Sequence, residues 1–230
     1  MTAPLPSDAG PQNARRASVS AMNEDDLQGV VAVHLRSFPH FFLSELGSVF
    51  LLCLYDEIMR DPSGIALVFR TDNRVDGFVA GTTQPQRFYR RLLLRRWYRF
   101  AFAALLPALK NPRMISRLLN AFRKPREEAD YADCGLLMSL AVDPACQGGD
   151  VGRTLVTGFL DECHARGLKL VHLTTDHLNN DRVNAFYQKL GFRLHRTFAT
   201  PQGRLMNDYR ASLDVAPGPT LTRPQECSWD

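Results

Sequence analysis

Apolar positions along this chain recur with two different periods, and the changes of period predict where helices and strands begin and end. In the first quarter of the chain the spacing is helical. Apolar positions three and four apart predict one helix that Asn23 caps and that runs to about Ser37, and a second over about 44–60. A short strand is predicted before them, over 17–22. We therefore expect the chain to open with one strand and two helices.

Further along, strands and helices alternate. Two runs rich in β-branched and aromatic residues, 65–70 and 75–83, flank the polar turn 71–74 and predict a hairpin. The remaining predicted elements are a strand over 135–142, a helix from about Val151 that stops at Gly167, a strand over 168–175, a helix from Asn180 to Gly191, and a hairpin of 193–199 with 204–213. This order of elements predicts an α/β fold with a mixed sheet.

Length and composition favour one domain with a tail at each end. The chain has 230 residues, of which 45% are hydrophobic, and this is enough for one well-buried core. Residues 1–14 and 215–230 contain several prolines and lack an apolar period, so we expect both to be disordered and the domain to span 15–214. Arg15-Arg16 is not followed by an apolar stretch, which argues against an export signal and favours a cytoplasmic protein.

The five cysteines give no sign of a disulfide framework or of a metal site. Their number is odd, no two stand at C-x-x-C spacing, and no histidine lies near them at the spacing of metal ligands. A buried, reduced cysteine behaves as a small hydrophobic side chain. We therefore expect structural cysteines and no bound metal.

A strongly basic segment separates the third and fourth predicted strands, over residues 84–130. From Arg87 to Arg126 it contains twelve Lys or Arg residues and no acidic residue. The whole chain has a net charge of +4, so the remainder carries −8. Apolar and aromatic residues alternate with the basic ones, as in basic amphipathic helices. The positive charge is therefore a local property of this insertion.

Several roles for the insertion remain open from the residues alone. Its helices pack beside the sheet and line an acceptor cleft, or they bind an anionic membrane surface through 87–126, or they contact another subunit or nucleic acid. Its longest stretch without Lys or Arg, 100–109, is much shorter than the roughly 20 residues of a membrane-spanning helix. No recognised nucleic-acid motif accompanies the charge, so nucleic acid is not an expected partner.

The strongest chemical signal is a glycine-rich turn that follows the strand at 135–142 and opens the next predicted helix. Its residues are Gln147, Gly148, Gly149, Asp150, Val151, Gly152 and Arg153. Backbone N–H groups at the start of a helix have no partner within the helix, and the helix dipole makes this end positive, so such a turn suits a phosphate. By itself the turn is also compatible with an ordinary junction between a loop and a helix.

A second motif spans 180–192. Together the two motifs resemble those of the GNAT superfamily of acyl-CoA-dependent N-acyltransferases, whose turn reads Q/R-x-x-G-x-G/A and whose later helix reads N-x-x-A-x-x-F/L-Y, followed by x-x-L-G-F. The matching positions are Gln147, Gly152, Asn180, Phe186, Tyr187, Leu190, Gly191 and Phe192. Two positions depart from the pattern: Asp150 stands where the family has a glycine, and Val183 where it has a small residue. The resemblance is specific because both motifs occur in the family's order and spacing.

The resemblance implies a fold and a co-substrate. The fold is a mixed, mostly antiparallel central sheet flanked by helices, with the basic helical insertion between the third and fourth strands. The co-substrate is acetyl-CoA or another acyl-CoA, with its diphosphate on the turn and its pantetheine arm along the preceding strand. The residues implied in cofactor binding are Leu140, Ala141, Val142, Gln147, Gly148, Gly149, Asp150, Val151, Gly152, Arg153, Asn180 and Phe186. Because a carboxylate repels a diphosphate, Asp150 should point away, or Gly148 and Gly149 should form the tight turn one residue early.

Tyr187 is the catalytic residue that the resemblance implies, as the general acid that protonates the departing CoA thiolate. Core packing is its alternative role, because Val183, Tyr187 and Leu190 stand at helical spacing. Asn180 caps its helix, with or without a contact to the cofactor. The general base for the acceptor amine stays open among residues that can accept a proton: Glu45, Asp133, Asp176, His34, His40 and His177.

The function that the resemblance implies is transfer of an acetyl or other acyl group from acyl-CoA to a primary amine by direct attack. Residues 34–39 and 41–43 resemble members of the family that act in surface-polysaccharide synthesis. An amino sugar is therefore the first acceptor hypothesis, and a peptide or protein amine is the second. The alternative is a non-catalytic CoA-binding or membrane-docked regulatory module with the same fold. The expected location is the cytoplasm, with peripheral contact at the inner membrane surface if the insertion binds lipid; the residues do not indicate the oligomeric state.

Overall fold

The computed structural model describes residues 17–39, 41–95, 98, 100, 134–200 and 203–214 of the chain. The predicted tails and most of the basic insertion lie outside these residues, as do His40 and residues 201–202 of the last predicted turn. The disorder expected for the tails therefore stays a prediction.

Seven strands and six helices follow one another in the described part of the chain. They are β1 (Ala17–Ala21), α1 (Leu27–Ser37), α2 (Phe42–Glu45), α3 (Ser48–Arg60), β2 (Gly64–Thr71), β3 (Arg74–Thr82), α4 (Pro85–Arg95), β4 (Cys134–Val142), α5 (Val151–Ala165), β5 (Leu170–Asp176), α6 (Asp181–Lys189), β6 (Arg193–Ala199) and β7 (Leu205–Ser212). The strands form one sheet in the order β1-β2-β3-β4-β5-β7-β6. All neighbours are antiparallel except β4 and β5, whose parallel pairing requires the crossover that α5 supplies. The predicted mixed, mostly antiparallel sheet flanked by helices is confirmed.

The start of the chain follows the prediction at its cap and departs from it at the second helix. The Asn23 side chain accepts a hydrogen bond from the backbone N–H of Asp25, and Asp26 accepts one from the N–H of Asn23, so a capping box opens a 3-10 turn that leads into α1. The single helix predicted over 44–60 is wrong, because α2 and α3 are separate. Gly47, with φ of +86°, breaks them apart in the left-handed region that glycine adopts readily.

A hydrophobic cluster covers each face of the sheet. On one face α1 and α3 pack against the sheet, with Val30, Leu51 and Phe78 fully buried. On the other face α5 presents the predicted apolar stripe, and Phe159 and Cys163 in it are fully buried. Burial raises the pKa of Cys163 to about 12, so this thiol stays neutral and acts as a core side chain. The described cysteines are free thiols.

The first helix of the basic insertion, α4, packs on the protein. Phe88 and Leu92 are 1% and 3% exposed and belong to the same cluster as α1 and α3. Arg91 donates two hydrogen bonds of 2.7 Å to the two carboxylate oxygens of Asp61, which holds the helix beside the start of β2. These two apolar side chains of the insertion are therefore covered by protein. Among the residues that the structure describes, no helix is long and apolar enough to span a bilayer.

Candidate active site

The central feature of the candidate site is a gap between β4 and β5. The two strands pair at only three positions, which end at Leu136 and His172. Beyond that point β4 stays paired with β3 as far as Val142, while β5 stays paired with β7 as far as Asp176. On the gap side, residues 137–142 have no strand partner among the described residues. Apart from the carbonyl oxygen of Val142, which accepts hydrogen bonds from Ser37 and Gln147, their edge is therefore open to an extended ligand that binds in the way that a further strand would.

A β-bulge in β4 marks where the gap begins. Ala80 of β3 pairs with Ser139 whereas Gly81 pairs with Leu137, so Met138 is an extra residue in β4. A Cβ on Gly81 would lie 2.2 Å from the carbonyl oxygen of Leu136, so the two backbones approach here as only glycine permits. The bulge bends β4 away from β5. Alternation of apolar residues along the strand does not reveal the bulge, so it was not predicted.

The glycine-rich turn lies at the end of β4, and its backbone settles how Asp150 is accommodated. The left-handed residue is Gly148, with φ of +92°, whereas Asp150 has an ordinary φ of −83°. The left-handed position therefore lies two residues before Asp150, within the Gly148-Gly149 pair that one of the two alternatives named. A Cβ at Gly148 or Gly149 would meet no atom within 4 Å, so open space lies over both.

The start of α5 offers backbone donors beside this space. Thr154 donates from its N–H to the carbonyl oxygen of Asp150, which closes the first turn of the helix. The N–H groups of residues 151–153 precede that bond and stand at the positive end of the helix dipole. The geometry is that of an anion site.

Asp150 itself points into solvent. Its side chain is 88% exposed, and one carboxylate oxygen lies 3.5 Å from the Nε of Arg153. A charge this exposed is strongly screened by water and salt. The carboxylate therefore lowers the positive electrostatic potential at the turn, but it does not occupy the space over Gly148 and Gly149. Gln147 is directed elsewhere, because its Nε2 donates to the carbonyl oxygen of Val142 at 3.1 Å.

Phe186 joins the turn to the second motif. A Cβ on Gly152 would lie 3.3 Å from the ring of Phe186 and 3.6 Å from a methyl group of Val142. Glycine at 152 therefore lets α5, α6 and the end of β4 pack closely. Phe186 touches the turn from its protein side in this arrangement.

Tyr187 occupies the core beneath the gap. Tyr187 is 6% exposed. Its ring packs edge-on against the rings of Phe186 and Phe192, and the centroid distances are 5.2 and 5.6 Å. Burial raises its pKa above the usual value for tyrosine, so the phenol stays protonated at neutral pH. No hydrogen bond to its hydroxyl is made by the described residues. The ring is therefore a core side chain, and the acid role of the hydroxyl stays a prediction.

Both asparagines of the second motif, Asn180 and Asn184, bond to the end of β5. Asn180 stands at the cap position of α6, but its Nδ2 donates to the carbonyl oxygen of Asp176 at 3.3 Å and makes no side-chain cap. The prediction that its side chain caps the helix is wrong. Asn184, which the sequence analysis missed, is buried and accepts a 2.6 Å hydrogen bond from Thr175. It also donates to Asp176 at 3.2 Å, so it ties α6 to the end of β5. A polar residue on an apolar helix stripe is the signal that could have revealed it.

The candidate general bases are spread over the fold. Asp176 is paired through both carboxylate oxygens with Arg204, and His177 is hydrogen-bonded to Asn207 at 2.9 Å. His34 is fully buried, and burial lowers its pKa to about 4. Asp133 and His40 lie outside the described residues, and Glu45 is part of α2. The arrangement singles out none of these as the base.

In the described part of the chain no three His, Cys, Asp or Glu side chains are grouped to hold a metal ion.

The sheet thus opens between two parallel strands, a helix start suited to an anion follows the end of β4, and a protonated phenol lies in the adjoining hydrophobic cluster. The comparison with known proteins gives the family. Residues 27–192 match the model of the acetyltransferase (GNAT) family, and the chain belongs to this family. The family and the enzyme class predicted from the sequence are confirmed.

Individual proteins are similar to this chain at different levels. Mycothiol acetyltransferase from Streptosporangium roseum is 43% identical over 58 residues, which span 25% of this chain and 17% of that protein. The solved structure of SsHAT is 23% identical, with a TM-score of 0.59, and the match covers 86% of this chain and 98% of that chain. The structure of yncA from Salmonella typhimurium, described as an acetyltransferase with its cofactor acetyl-CoA, is 13% identical, with a TM-score of 0.56 over 89% and 98% of the two chains. The two structures share the fold.

Proposed function

We propose that this chain transfers an acetyl group from acetyl-CoA to a primary amine by direct attack of the amine on the thioester. One observation carries the proposal. The free edge of β4, the first turn of α5 and the Tyr187 helix border one hydrophobic cluster. Its members from these elements are Leu137, Leu140, Val151, Phe186 and Tyr187. A ligand held by its diphosphate at the turn would therefore reach Tyr187 along β4.

The residues present fit acetyl-CoA. The space over Gly148 and Gly149 and the N–H groups of residues 151–153 suit the diphosphate. The free edge of residues 137–142 suits the amides of the pantetheine arm. When bound, acetyl-CoA supplies an activated acyl group and a thiolate leaving group.

The chemistry requires two contributions from the protein. A backbone N–H on the free edge of β4 donates to the thioester oxygen and stabilises the charge that develops there as the C–N bond forms. Tyr187 donates its phenolic proton to the sulfur as the C–S bond breaks. The proton lost by the amine returns through water to the Tyr187 oxygen, so the residue ends the cycle as it began.

An amino sugar is the acceptor that we propose first. Ser37 donates to the carbonyl oxygen of Val142 at 3.0 Å, which places the end of α1 beside the end of β4. Phe41 follows with 38% of its surface exposed, and its ring centroid is 5.9 Å from that of Phe38. An exposed aromatic ring beside polar groups suits a small ligand with one apolar and one polar face, as an amino sugar has. A peptide or protein amine is the second acceptor.

The proposal is tested by following release of CoA with a thiol reagent, DTNB, across a panel of amines. The panel contains nucleotide-linked and lipid-linked amino sugars, peptides with a free N-terminus and lysine peptides. We expect CoA release with one class of amine and calorimetric binding of acetyl-CoA. Binding without release with any amine would favour the non-catalytic CoA-binding module, and the absence of both would refute the proposal.

Peripheral membrane contact is a separate proposal for the insertion. In α4 the side chains of Phe88 and Leu92 are buried against the protein, whereas Arg87 and Arg90 are exposed. The exposed positive charge supports attraction to an anionic surface, at about 1 kcal/mol for each basic residue near it. We also propose a cytoplasmic location, as predicted from the sequence.

A further inference from the structure

Asp143 follows the end of β4, and both of its carboxylate oxygens accept hydrogen bonds. Oδ1 accepts from the backbone N–H of Ala145 at 3.0 Å, which caps the short 3-10 turn Pro144–Cys146. Oδ2 accepts from the guanidinium of Arg36, in the last turn of α1, at 2.6 Å. The hydrogen bond from Ala145, together with that from Arg36, holds the pKa of Asp143 below its usual value. The carboxylate is therefore ionised at neutral pH and forms an ion pair with Arg36.

The segment that leads into the glycine-rich turn has further attachments. The hydroxyl of Ser37 donates to the carbonyl oxygen of Val142 at 3.0 Å, and the Nε2 of Gln147 donates to the same oxygen at 3.1 Å. The backbone N–H of Asp143 donates to the carbonyl oxygen of Asp76 on β3 at 2.8 Å. The segment is therefore attached both to α1 and to β3.

The two glycines that follow depend on these attachments. Gly148 is in the left-handed region, and a Cβ at Gly148 or Gly149 would meet no atom within 4 Å. Among the described residues, neither glycine takes part in a hydrogen bond. Glycine also has the largest conformational freedom of any residue. The backbone of the pair is therefore held mainly by the residues before it and by α5 after it.

The attachment of the turn bears on the affinity for a diphosphate. Backbone N–H groups bind an anion well when they already point at it before the ligand arrives. If the turn holds the binding conformation for only a fraction of the time, the apparent Kd rises by the inverse of that fraction. A contact that keeps the turn in place therefore raises affinity without touching the ligand.

We propose that Arg36 and Asp143 are positioning residues for the diphosphate of acyl-CoA, because their ion pair holds the glycine-rich turn in the conformation that binds it. This inference rests on the proposed function and deepens it. It makes α1, whose end borders the proposed acceptor site, a part of the structure that positions the co-substrate.

The effect of Asp143→Asn distinguishes positioning from simple electrostatics. Asparagine keeps an oxygen for the N–H of Ala145 but removes the negative charge that holds Arg36. If charge alone governed binding, loss of a negative charge near the turn would tighten the binding of an anionic ligand. Positioning predicts the opposite sign, which is weaker binding.

Calorimetric titration with acetyl-CoA measures the effect. The Arg36 side chain is 52% exposed, so loss of the ion pair corresponds to at most about tenfold in an equilibrium constant. We expect Arg36→Gln and Asp143→Asn each to raise the Kd for acetyl-CoA about threefold to tenfold. Arg36→Lys, which keeps the charge, should restore part of the affinity. The double variant should bind no more weakly than Asp143→Asn alone, because both changes remove the same ion pair.

The ion pair of Arg60 with Asp56 is a matched control, because both residues lie on α3. The Nε of Arg60 lies 2.6 Å from the Oδ1 of Asp56, and the two side chains are 49% and 12% exposed. The distance is also 2.6 Å between Arg36 and Asp143, whose side chains are 52% and 12% exposed. Arg60→Gln should therefore leave the Kd for acetyl-CoA within twofold of wild type. A larger change would show that loss of any such ion pair weakens binding and would overturn the inference.

A measurement without ligand tests the positioning directly. ¹⁵N relaxation of the Gly148 and Gly149 amides should give order parameters of a rigid backbone in wild type and in Arg60→Gln. Arg36→Gln and Asp143→Asn should lower them. Unchanged order parameters in these two variants would overturn the inference, even if acetyl-CoA binds more weakly.

The same titrations separate failure of the inference from failure of the proposed function. If wild type does not bind acetyl-CoA, the proposed function fails and the inference fails with it. If wild type binds acetyl-CoA and Arg36→Gln binds it equally well, only the inference fails. The same holds if Asp143→Asn binds as tightly as wild type or tighter, or if the effects of the two single variants multiply.

Discussion

Replacing Tyr187 by phenylalanine separates its two predicted roles, because the ring stays and only the hydroxyl is lost. The edge-on contacts with Phe186 and Phe192 are made by the ring. The hydroxyl forms no hydrogen bond with the described residues. The free energy of unfolding should therefore change by less than about 0.5 kcal/mol, below the net value of one hydrogen bond.

The catalytic effect of the same change should be large. Loss of a general acid costs on the order of 10² to 10⁴ in rate. We expect the lower end for Tyr187→Phe, because a thiol with a pKa of about 8.5 leaves as a fairly stable thiolate even without a proton. A hundredfold fall in kcat corresponds to about 2.7 kcal/mol of transition-state stabilisation. The loss of transition-state stabilisation should thus be at least about five times the loss of unfolding free energy.

Tyr209→Phe is the matched control. Tyr209 is 1% exposed in the same cluster, and its hydroxyl is hydrogen-bonded to the Nε2 of Gln188 at 3.3 Å. This variant should lose about 0.5–1.5 kcal/mol of stability and keep its kcat. Tyr187→Phe is therefore expected to lower kcat and keep stability, whereas Tyr209→Phe is expected to lower stability and keep kcat.

The assay is release of CoA followed with DTNB, with an enzyme-only blank because the Cys146 thiol is half-exposed. Calorimetry with acetyl-CoA shows whether binding is intact, and urea unfolding gives the stability. Equal kcat in Tyr187→Phe and wild type would refute the acid role. So would an alkaline loss of activity between pH 7 and 9 that disappears in Tyr187→Phe, because the raised pKa keeps this phenol protonated there.

Four further predictions follow, two on the turn and one each on the pH dependence of stability and on the insertion. Gly149→Ala should weaken acetyl-CoA binding in calorimetry without lowering the melting temperature, since its Cβ meets no protein atom; unchanged binding would contradict a phosphate at this point. Asp150→Gly and Asp150→Asn should both tighten acetyl-CoA binding about twofold to fivefold at low salt and less at high salt, because φ of −83° needs no glycine; weaker or unchanged binding would count against the alignment. Burial lowers the pKa of His34 and of His172 to about 4 from 6.5, so the unfolded chain takes up protons first as pH falls. Each should cost about 2 kcal/mol of stability between pH 7 and 5 in urea unfolding, and equal stability at the two values would contradict their burial as neutral groups. Vesicles of phosphatidylserine and phosphatidylcholine should sediment the protein at low salt, and a protein left in the supernatant would leave the insertion without a membrane role.

Local patterns located the parts of the site well. The glycine turn, the helix after it and the second motif are each read from a few neighbouring residues, so their positions were predictable. Where a local rule was ambiguous, prediction failed. Apolar spacing continues through Leu46 and across Gly47, so the break between α2 and α3 did not show in the pattern. Asn180 has the residue type of a cap, yet its side chain bonds to Asp176 because the end of β5 lies close by.

The sequence by itself determined the elements, their order, the glycine turn and the family resemblance, because these depend on short-range spacing and on motifs within one segment. Only the tertiary structure decided that β4 and β5 pair at three positions and then separate, since strand divergence arises from the bulge at Met138 and from pairing with β3 and β7. It also decided that Gly148 and not Asp150 takes the left-handed position. The hydrogen bond between His34 and Tyr55 joins α1 to α3, and no pattern along the sequence reports a contact between two separate helices.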